Sequence, residues 1–296
     1  MFCYTFYNHK FISDIRLFNI PLADKPFSKP DVIIRKETFN SETYLKNGTY
    51  YYSNKDFFLL KIIGGFLRIN SGKEILYDID PNTEAESITP YIMGWGLAVV
   101  LSQMGYSVFH CSALVRNDHC FFVSGVSGAG KSTTSLELLK HNCKYLCDDM
   151  AFVEDYEDML VYPSFPIQKI CRDVSLNLEK ENLYAIKNER EKYSFLNTSD
   201  YCDTPKPLTV FFDLIPSKLD YVKVEEITGI KKYYKVLENL FLEIPYAMSS
   251  FPDHVKFHCL KIAGNIRFYN IFRPIGKDTV EEITNCILKI LDDKEL

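Results

Sequence analysis

One short motif constrains this chain more than any other feature of its 296 residues. The segment Gly125-Val-Ser-Gly-Ala-Gly-Lys-Ser132 fits the pattern GxxxxGK[ST] at every fixed position. It follows the apolar run FFVS and precedes the helix-forming run STTSLELLK. Glycines let successive backbone N–H groups point inward, and the start of a helix adds partial positive charge. The motif therefore predicts a phosphate-binding loop between a strand and a helix.

The loop predicts a site for a nucleoside triphosphate, ATP, together with Mg²⁺. Lys131, expected as a solvent-facing cation on a preformed loop, would bridge the β- and γ-phosphates, and the Ser132 hydroxyl would ligate the magnesium ion. The nucleotide contacts predicted in this loop are Gly125, Val126, Ser127, Gly128, Ala129, Gly130, Lys131, Ser132 and Thr133.

Two aspartates, Asp148 and Asp149, follow the next apolar run, Lys144-Tyr-Leu-Cys. A carboxylate at the tip of a strand after the loop helix can reach magnesium or the attacking group. If the strand continues through both residues, only one of them faces the nucleotide, because side chains alternate across a strand. A turn at this point would let both converge. One of the two could instead be a solvated strand end.

His110 is a further candidate, because of its place in a predicted hairpin. We expect a strand over Val108–Val115, a turn over Arg116–His119 and a second strand over Cys120–Ser124. A two-residue turn at Asn117-Asp118 pairs Arg116 with His119 and brings His110 opposite Gly125. There the imidazole could touch a γ-phosphate or polarise a carboxylate base. The alternative is a histidine satisfied by backbone at a strand end.

The pattern along the chain divides it into two predicted parts. Residues 1–85 form a β-rich module, with runs such as Phe57–Ile63 separated by turn signals that include Asn47-Gly48. Residues 86–296 form an α/β catalytic domain in which helices and strands alternate. It opens with a helix over Thr89–Met104, in which two glycines indicate close packing, and it includes a helix around Asp173–Glu179.

Composition limits the classes of function. A net charge of −5 argues against a sequence-independent nucleic-acid binder, which needs a basic face. Nine scattered cysteines indicate free thiols in a reducing compartment, so we expect a cytoplasmic protein without structural zinc. The N-terminus lacks a secretory pattern, and the most apolar run, Tyr91–Leu101, is too short to span a bilayer. We expect no membrane partner.

The segment from Tyr91 to Val153 resembles the catalytic domain of the HPr kinase/phosphorylase family. The resemblance lies in MGWGLAVVL, His110-Cys-Ser-Ala-Leu, GVSGAGKST and Leu-Cys-Asp148-Asp149. Within this family, the segment shows a closer likeness to the HPr-kinase-like proteins encoded with ribosomally made peptides, including lasso-peptide kinases. The resemblance implies a P-loop kinase core of the type shared by HPr kinases and phosphoenolpyruvate carboxykinases. It also implies phosphorylation of a serine hydroxyl, catalytic roles for His110, Asp148 and Asp149, and a possible homo-oligomer.

The chain departs from bifunctional HPr kinases, since it lacks their downstream glutamate signature and their usual N-terminal domain. The run Tyr162-Pro-Ser-Phe-Pro-Ile-Gln-Lys169 is similar to the Pro-x-x-[Arg/Lys] element of the kinase-like relatives. That makes Lys169 a candidate phosphate contact, with a surface lysine as the alternative.

The leading hypothesis is an ATP-dependent serine kinase acting on a peptide or protein. Asp148 would be the base, Asp149 would orient magnesium and His110 would tune the base, and the two aspartates could exchange roles. A small-metabolite kinase, a carboxykinase-like enzyme and a nucleotide-binding regulatory or assembly protein are the alternatives.

Overall fold

The structure is a computed structural model. It describes residues 1–40, 44–45, 49–54, 56–154, 158–171, 183–185, 192–241 and 253–293. The predicted turn at Asn47-Gly48 and the predicted helix around Asp173–Glu179 lie outside these residues. Within them the fold is mixed α/β, as the sequence predicts.

The first seven described strands form one sheet in the order β1-β2-β3-β7-β6-β5-β4. Strand β3 pairs in parallel with β2 and β7, and the other neighbours are antiparallel. The apolar run Phe57–Ile63 singled out in the sequence contains β5. Most aromatic and aliphatic side chains of that strand are buried. The bounds are β1 Phe2–Phe6, β2 His9–Ser13, β3 Val32–Lys36, β4 Tyr51–Ser53, β5 Phe57–Ile62, β6 Gly65–Asn70 and β7 Glu74–Ile79.

A helical segment leads from this sheet to the rest of the chain. It consists of α1 (Ala85–Tyr91), a π-helical turn (Ile92–Gly96) and α2 (Leu97–Gln103), where the sequence predicted one helix over Thr89–Met104. The prediction of close packing is wrong for Gly94, where an added Cβ would meet no atom within 4 Å. Gly94 instead faces open space.

A second sheet carries the glycine-rich loop. Its strands run in the order β11-β9-β10-β17-β13-β12-β8, with β19 beside β17 and β18 beside β19. Strands β10, β17 and β19 are mutually parallel, so their carboxyl ends meet at one edge. The bounds are β8 Ser107–Phe109, β9 Cys111–Arg116, β10 His119–Gly125, β11 Lys144–Cys147, β12 Ala151–Val153, β13 Leu160–Val161, β17 Lys206–Ser217, β18 Lys223–Glu226 and β19 Arg267–Pro274.

A small sheet and four further helices complete the described part. The small sheet has the order β14-β16-β15, with β14 Ile167–Cys171, β15 Leu183–Ala185 and β16 Lys192–Leu196. The helices are α3 Lys131–Leu139, α4 Ile230–Glu238, α5 Asp253–Asn265 and α6 Val280–Leu291. No helix within the described ranges combines the length and apolar character needed to cross a membrane.

Alternating side chains of the central strands feed two buried clusters. Phe121 and Val123 of β10 pack with Leu138 of α3 and Ile287 of α6 on one face. Phe122 belongs to the larger cluster on the other face, which also contains side chains of the first sheet. This period of two fixes which β10 residues can face the loop helix. The domain boundary at residue 85 stays a prediction. The larger buried cluster contains residues from both sides of it.

Candidate active site

The hairpin before the loop has the predicted register. Asn117 and Asp118 have φ of 51° and 63°, the left-handed pair of a type I′ turn. Arg116 pairs with His119, and the pairing continues to Cys111 opposite Ser124. The prediction of this register is confirmed.

The single strand predicted over Val108–Val115 is wrong, because the chain changes partner at His110. Phe109, before it, pairs with Ala151 of β12, whereas Cys111, after it, belongs to the β10 hairpin. The backbone N–H of His110 donates instead to the carbonyl of Asn239 at 3.2 Å. This break leaves the imidazole about half exposed (48%) beside the loop.

The glycine-rich loop joins β10 to α3 through two positions that require glycine. Gly125 has φ 143°, and a Cβ there would lie 2.5 Å from the carbonyl oxygen of Leu214. Gly130 has φ 96°, and its Cβ would lie 2.6 Å from Nη1 of Arg273. Both substitutions would force the backbone or its neighbours to move. Glycine at these two positions therefore lets the loop lie close to Leu214 and Arg273, which a side chain there would prevent.

Helix α3 begins at Lys131, so its first N–H groups face the loop. The Nζ of Lys131 donates to the carbonyl oxygen of Gly125 at 2.6 Å. Lys131 is half-buried rather than solvent-facing as the sequence analysis expected. Burial lowers the pKa of this ammonium, although Asp149 and Asp148 act to raise it. An anion in the loop would replace the carbonyl as its partner.

The two aspartates converge because the chain turns directly after β11. Asp149 has φ 67°, a conformation that aspartate adopts more readily than most residues. Both side chains line the cavity that also contains the loop. Of the two arrangements that the sequence left open, the structure therefore has the turn.

Asp148 is held by two hydrogen bonds. Ser112 Oγ donates to Asp148 Oδ1 at 2.7 Å, and the backbone N–H of Lys169 donates to Oδ2 at 2.7 Å. Burial raises the pKa of the Asp148 carboxyl, and the negative charge of Asp149 raises it further. The two hydrogen bonds offset only part of that rise.

Asp149 lies between two basic side chains. Lys169 Nζ donates to its Oδ2 at 2.9 Å, and His110 Nε2 lies 3.3 Å from its Oδ1. Burial acts to raise the pKa of Asp149, but the positive charge of Lys169 and the contact with His110 outweigh it. The pKa of Asp149 is therefore held well below its ordinary value, the opposite of Asp148.

Most of the predicted site residues line this one cavity, which we call the loop cavity. They are His110, Ser127, Gly128, Gly130, Lys131, Ser132, Thr133, Asp148, Asp149 and Lys169. Three of the predicted contacts do not line it: Gly125, Val126 and Ala129. Val126 is 66% exposed, whereas Ala129 is buried. Lys169 lies in this cavity with its Nζ donating to Asp149 Oδ2, and its contact with a phosphate stays a prediction.

Sequence reasoning missed several further residues of the loop cavity, among them Ser112, Lys192, Phe241 and Arg273. Ser112 could have been found, because it lies two residues after His110 in the hairpin. Arg273 could also have been found, since it ends a strand parallel to β10. Its Nη1 donates to the carbonyl of Ala129 at 2.9 Å. Phe241 has no such signal; its ring lies 5.4 Å from that of His110.

No protein-family model matches the chain, and no curated protein matches it. Among solved structures, the chain is similar to the structure of the Hpr(Ser) kinase/phosphatase from Coxiella burnetii. That similarity has a TM-score of 0.34 and 11% sequence identity, and it covers 64% of this chain and 99% of that chain.

Proposed function

We propose that this protein transfers the γ-phosphoryl group of Mg-ATP to a serine hydroxyl of a peptide or protein. One observation carries the proposal. A glycine-rich loop at the start of a helix opens into the same cavity as two aspartates whose pKa values are displaced in opposite directions. The resemblance of residues 91–153 to HPr kinases supports serine as the acceptor.

The loop and its neighbours would bind the triphosphate. Backbone N–H groups of Ser127–Thr133 and the ammonium of Lys131 would carry the negative charge of the phosphates. In the described residues, no three His, Cys, Asp or Glu side chains group as a metal site. Ser132, Asp149 and phosphate oxygens would hold magnesium, because they supply the oxygen ligands that the ion prefers. When bound, it would neutralise charge on the β- and γ-phosphates.

The opposite pKa displacements support separate roles for the aspartates. A carboxylate with a raised pKa is better matched to accepting a proton, and this favours Asp148 as the base. A carboxylate with a lowered pKa stays anionic, and this favours Asp149 as the magnesium ligand. His110 would orient Asp149 from its other side.

The chemical step balances with the groups present in the cavity. The serine O–H gives its proton to the Asp148 carboxylate as its oxygen bonds to the γ-phosphorus. The bond from that phosphorus to the β–γ bridging oxygen breaks, and its electron pair leaves with ADP. Lys131 and Arg273 would lie beside the developing charge.

The test is phosphoryl transfer from radiolabelled ATP by the wild type and by Lys131→Ala. We expect label on peptide serine, loss of transfer and of tight Mg-ATP binding in the variant, and an unchanged circular dichroism spectrum. Lys140→Ala, at the exposed end of α3, is the matched control. Label appearing only on a small metabolite or only as inorganic phosphate would contradict the proposal, as would an unaffected Lys131→Ala.

A further inference from the structure

A second cavity meets the loop cavity at the aspartates. It is mainly apolar, and we call it the apolar cavity. Tyr7, Phe18, Ile20, Met93, Met150 and Phe165 line it. Six residues line both cavities: Pro90, Gly94, Asp148, Asp149, Lys169 and Phe241. The carboxylates therefore stand at the junction of a polar space beside the loop and an apolar space on the other side.

The walls of the apolar cavity are held in place by hydrogen bonds between distant parts of the chain. Tyr7 Oη donates to the carbonyl of Met150 at 2.6 Å, and both residues are buried. The backbone N–H of Phe18 donates to Thr89 Oγ1 at 3.2 Å. Asn19 Nδ2 donates to Ser194 Oγ at 3.3 Å. These links fix the N-terminal segment against α1 and β16.

The charges at the rim of the apolar cavity disfavour anionic ligands. Glu86, Asp148 and Asp149 bring three carboxyl groups to its lining, and Lys169 brings one ammonium group, which is paired with Asp149. A small metabolite that carries a carboxylate or phosphate would meet like charge there. Neutral or basic acceptors avoid this cost.

The position of the apolar walls next to the aspartates suits an extended peptide. The polar residues Asn19, Thr89 and Ser194 interrupt these walls and are hydrogen-bonded within the protein, so the surface offered to a ligand is mainly apolar. Successive residues of an extended chain advance about 3.3 Å, so a serine at the junction leaves its neighbours within reach of the apolar walls.

We propose that the apolar cavity selects the acceptor by receiving a large apolar side chain within two residues of the phosphorylated serine. This inference rests on the proposed function and names the substrate class: a peptide or protein tail with Phe, Leu or a similar residue beside the serine, and with no acidic residue there. Burial of this side chain would favour the peptides that carry it. The side chain itself would not contact the nucleotide.

Ala185 offers a way to close this cavity without touching the core. It lines the apolar cavity but not the loop cavity, and it is exposed at the end of β15. Ala185→Phe adds bulk to the lining. Tyr184→Trp is the matched control, because Tyr184 is the preceding exposed residue of the same strand and lines neither cavity.

The experiment uses a panel of short peptides with one central serine flanked by Phe, Leu, Gly, Lys or Asp, together with benzyl alcohol as a neutral non-peptide acceptor. We expect kcat/KM for the Phe and Leu peptides to exceed that for the Asp peptide by about tenfold or more. Ala185→Phe should reduce this preference to about twofold or less while ATP affinity stays unchanged, and Tyr184→Trp should keep it.

Two failures are distinguishable. If the wild type does not bind Mg-ATP, or binds it without phosphorylating any peptide, the proposed function fails and the inference fails with it. If the wild type binds ATP and transfers phosphate, three results overturn the inference alone. These are equal rates for the Phe, Leu and Asp peptides, phosphorylation of benzyl alcohol in preference to every peptide, and a peptide preference that Ala185→Phe leaves intact.

Discussion

His110 Nε2 lies 3.3 Å from a carboxylate oxygen of Asp149, and the backbone N–H of His110 is bonded to the carbonyl of Asn239. The imidazole also packs beside the ring of Phe241. The histidine is thus anchored by Asn239 and Phe241, which follow α4, while its imidazole contacts Asp149, the second residue after β11. Its position depends on both the hairpin and this helix.

We expect His110→Ala to lower phosphoryl transfer by about tenfold to a hundredfold, because Asp149 loses one of the groups that orient it. His110→Gln should retain part of the activity, since its amide can donate where Nε2 does. Initial rates at saturating Mg-ATP measure both. His119→Ala, an exposed change at the other end of the hairpin, is the control. Transfer at the wild-type rate in His110→Ala would exclude a role for this contact.

The pair Lys169 and Asp149 gives a prediction for pH dependence. Burial acts to raise the pKa of Asp149, and Lys169 with His110 holds it well below the ordinary 3.8. A lowered pKa contributes stability that is present above pH 3.8 and is lost as pH falls through the folded-state pKa. Lys169→Met removes the main attraction, so the pKa of Asp149 should rise.

Two measurements check this sign. The melting temperature of Lys169→Met should lie below that of the wild type at pH 7, and the gap should shrink on acidification toward pH 3. The acid limb of the activity profile should move to higher pH. Lys206→Met removes the ion pair with Asp118, whose side chain is 88% exposed, and should change stability little. A gap independent of pH would mean that Lys169 acts through packing alone.

The loop, the hairpin register and the aspartates could be predicted from the sequence, because each is set by local rules. A glycine at a left-handed position, a two-residue turn and an acidic strand end all act over a few residues. The break at His110 was not within reach, since it arises where two strands of different partners meet. Nor was the apolar cavity, whose walls join Tyr7 to Met150 across 143 residues. Long-range packing of that kind leaves no periodic signal.

Asp148 should show a trade between stability and activity. Its pKa is raised by burial and by Asp149, so ionising it costs more in the folded than in the unfolded chain. Stability therefore falls as pH rises from the ordinary 3.8 through the folded-state pKa. Asp148→Asn keeps groups that can bond Ser112 and the Lys169 N–H but removes the charge.

We expect Asp148→Asn to melt at a higher temperature than the wild type at pH 7, with the difference shrinking as pH falls well below the ordinary 3.8, where Asp148 is protonated in both the folded and the unfolded chain. Phosphoryl transfer should fall at least about a hundredfold, the lower range for a positioned base, while ATP affinity stays unchanged. Asp118→Asn, the same chemical change on the exposed turn, should alter neither. Normal transfer by Asp148→Asn would assign the base elsewhere.

Arg273 contacts the glycine-rich loop from the C-terminal end of β19. Its Nη1 donates to the Ala129 carbonyl at 2.9 Å, and its Nη2 donates to the Lys277 carbonyl at 3.4 Å. The guanidinium lies directly against Gly130, where an added Cβ would meet it at 2.6 Å. A planar group with five donors in this position suits phosphate oxygens.

We expect Arg273→Ala to weaken ATP binding by about tenfold to a hundredfold, which corresponds to the ~1.5–3 kcal/mol of a hydrogen bond to a charged group, and Arg273→Lys to restore part of it. Arg267→Ala, at the start of the same strand, removes a partly exposed pair with Glu226 and a contact with the Tyr269 ring, both away from the loop cavity, and is the control. Calorimetric titration with ATP and with adenosine separates the causes. Loss confined to ATP supports a phosphate contact, whereas equal loss for both ligands would mean that Arg273 only shapes the loop through Ala129.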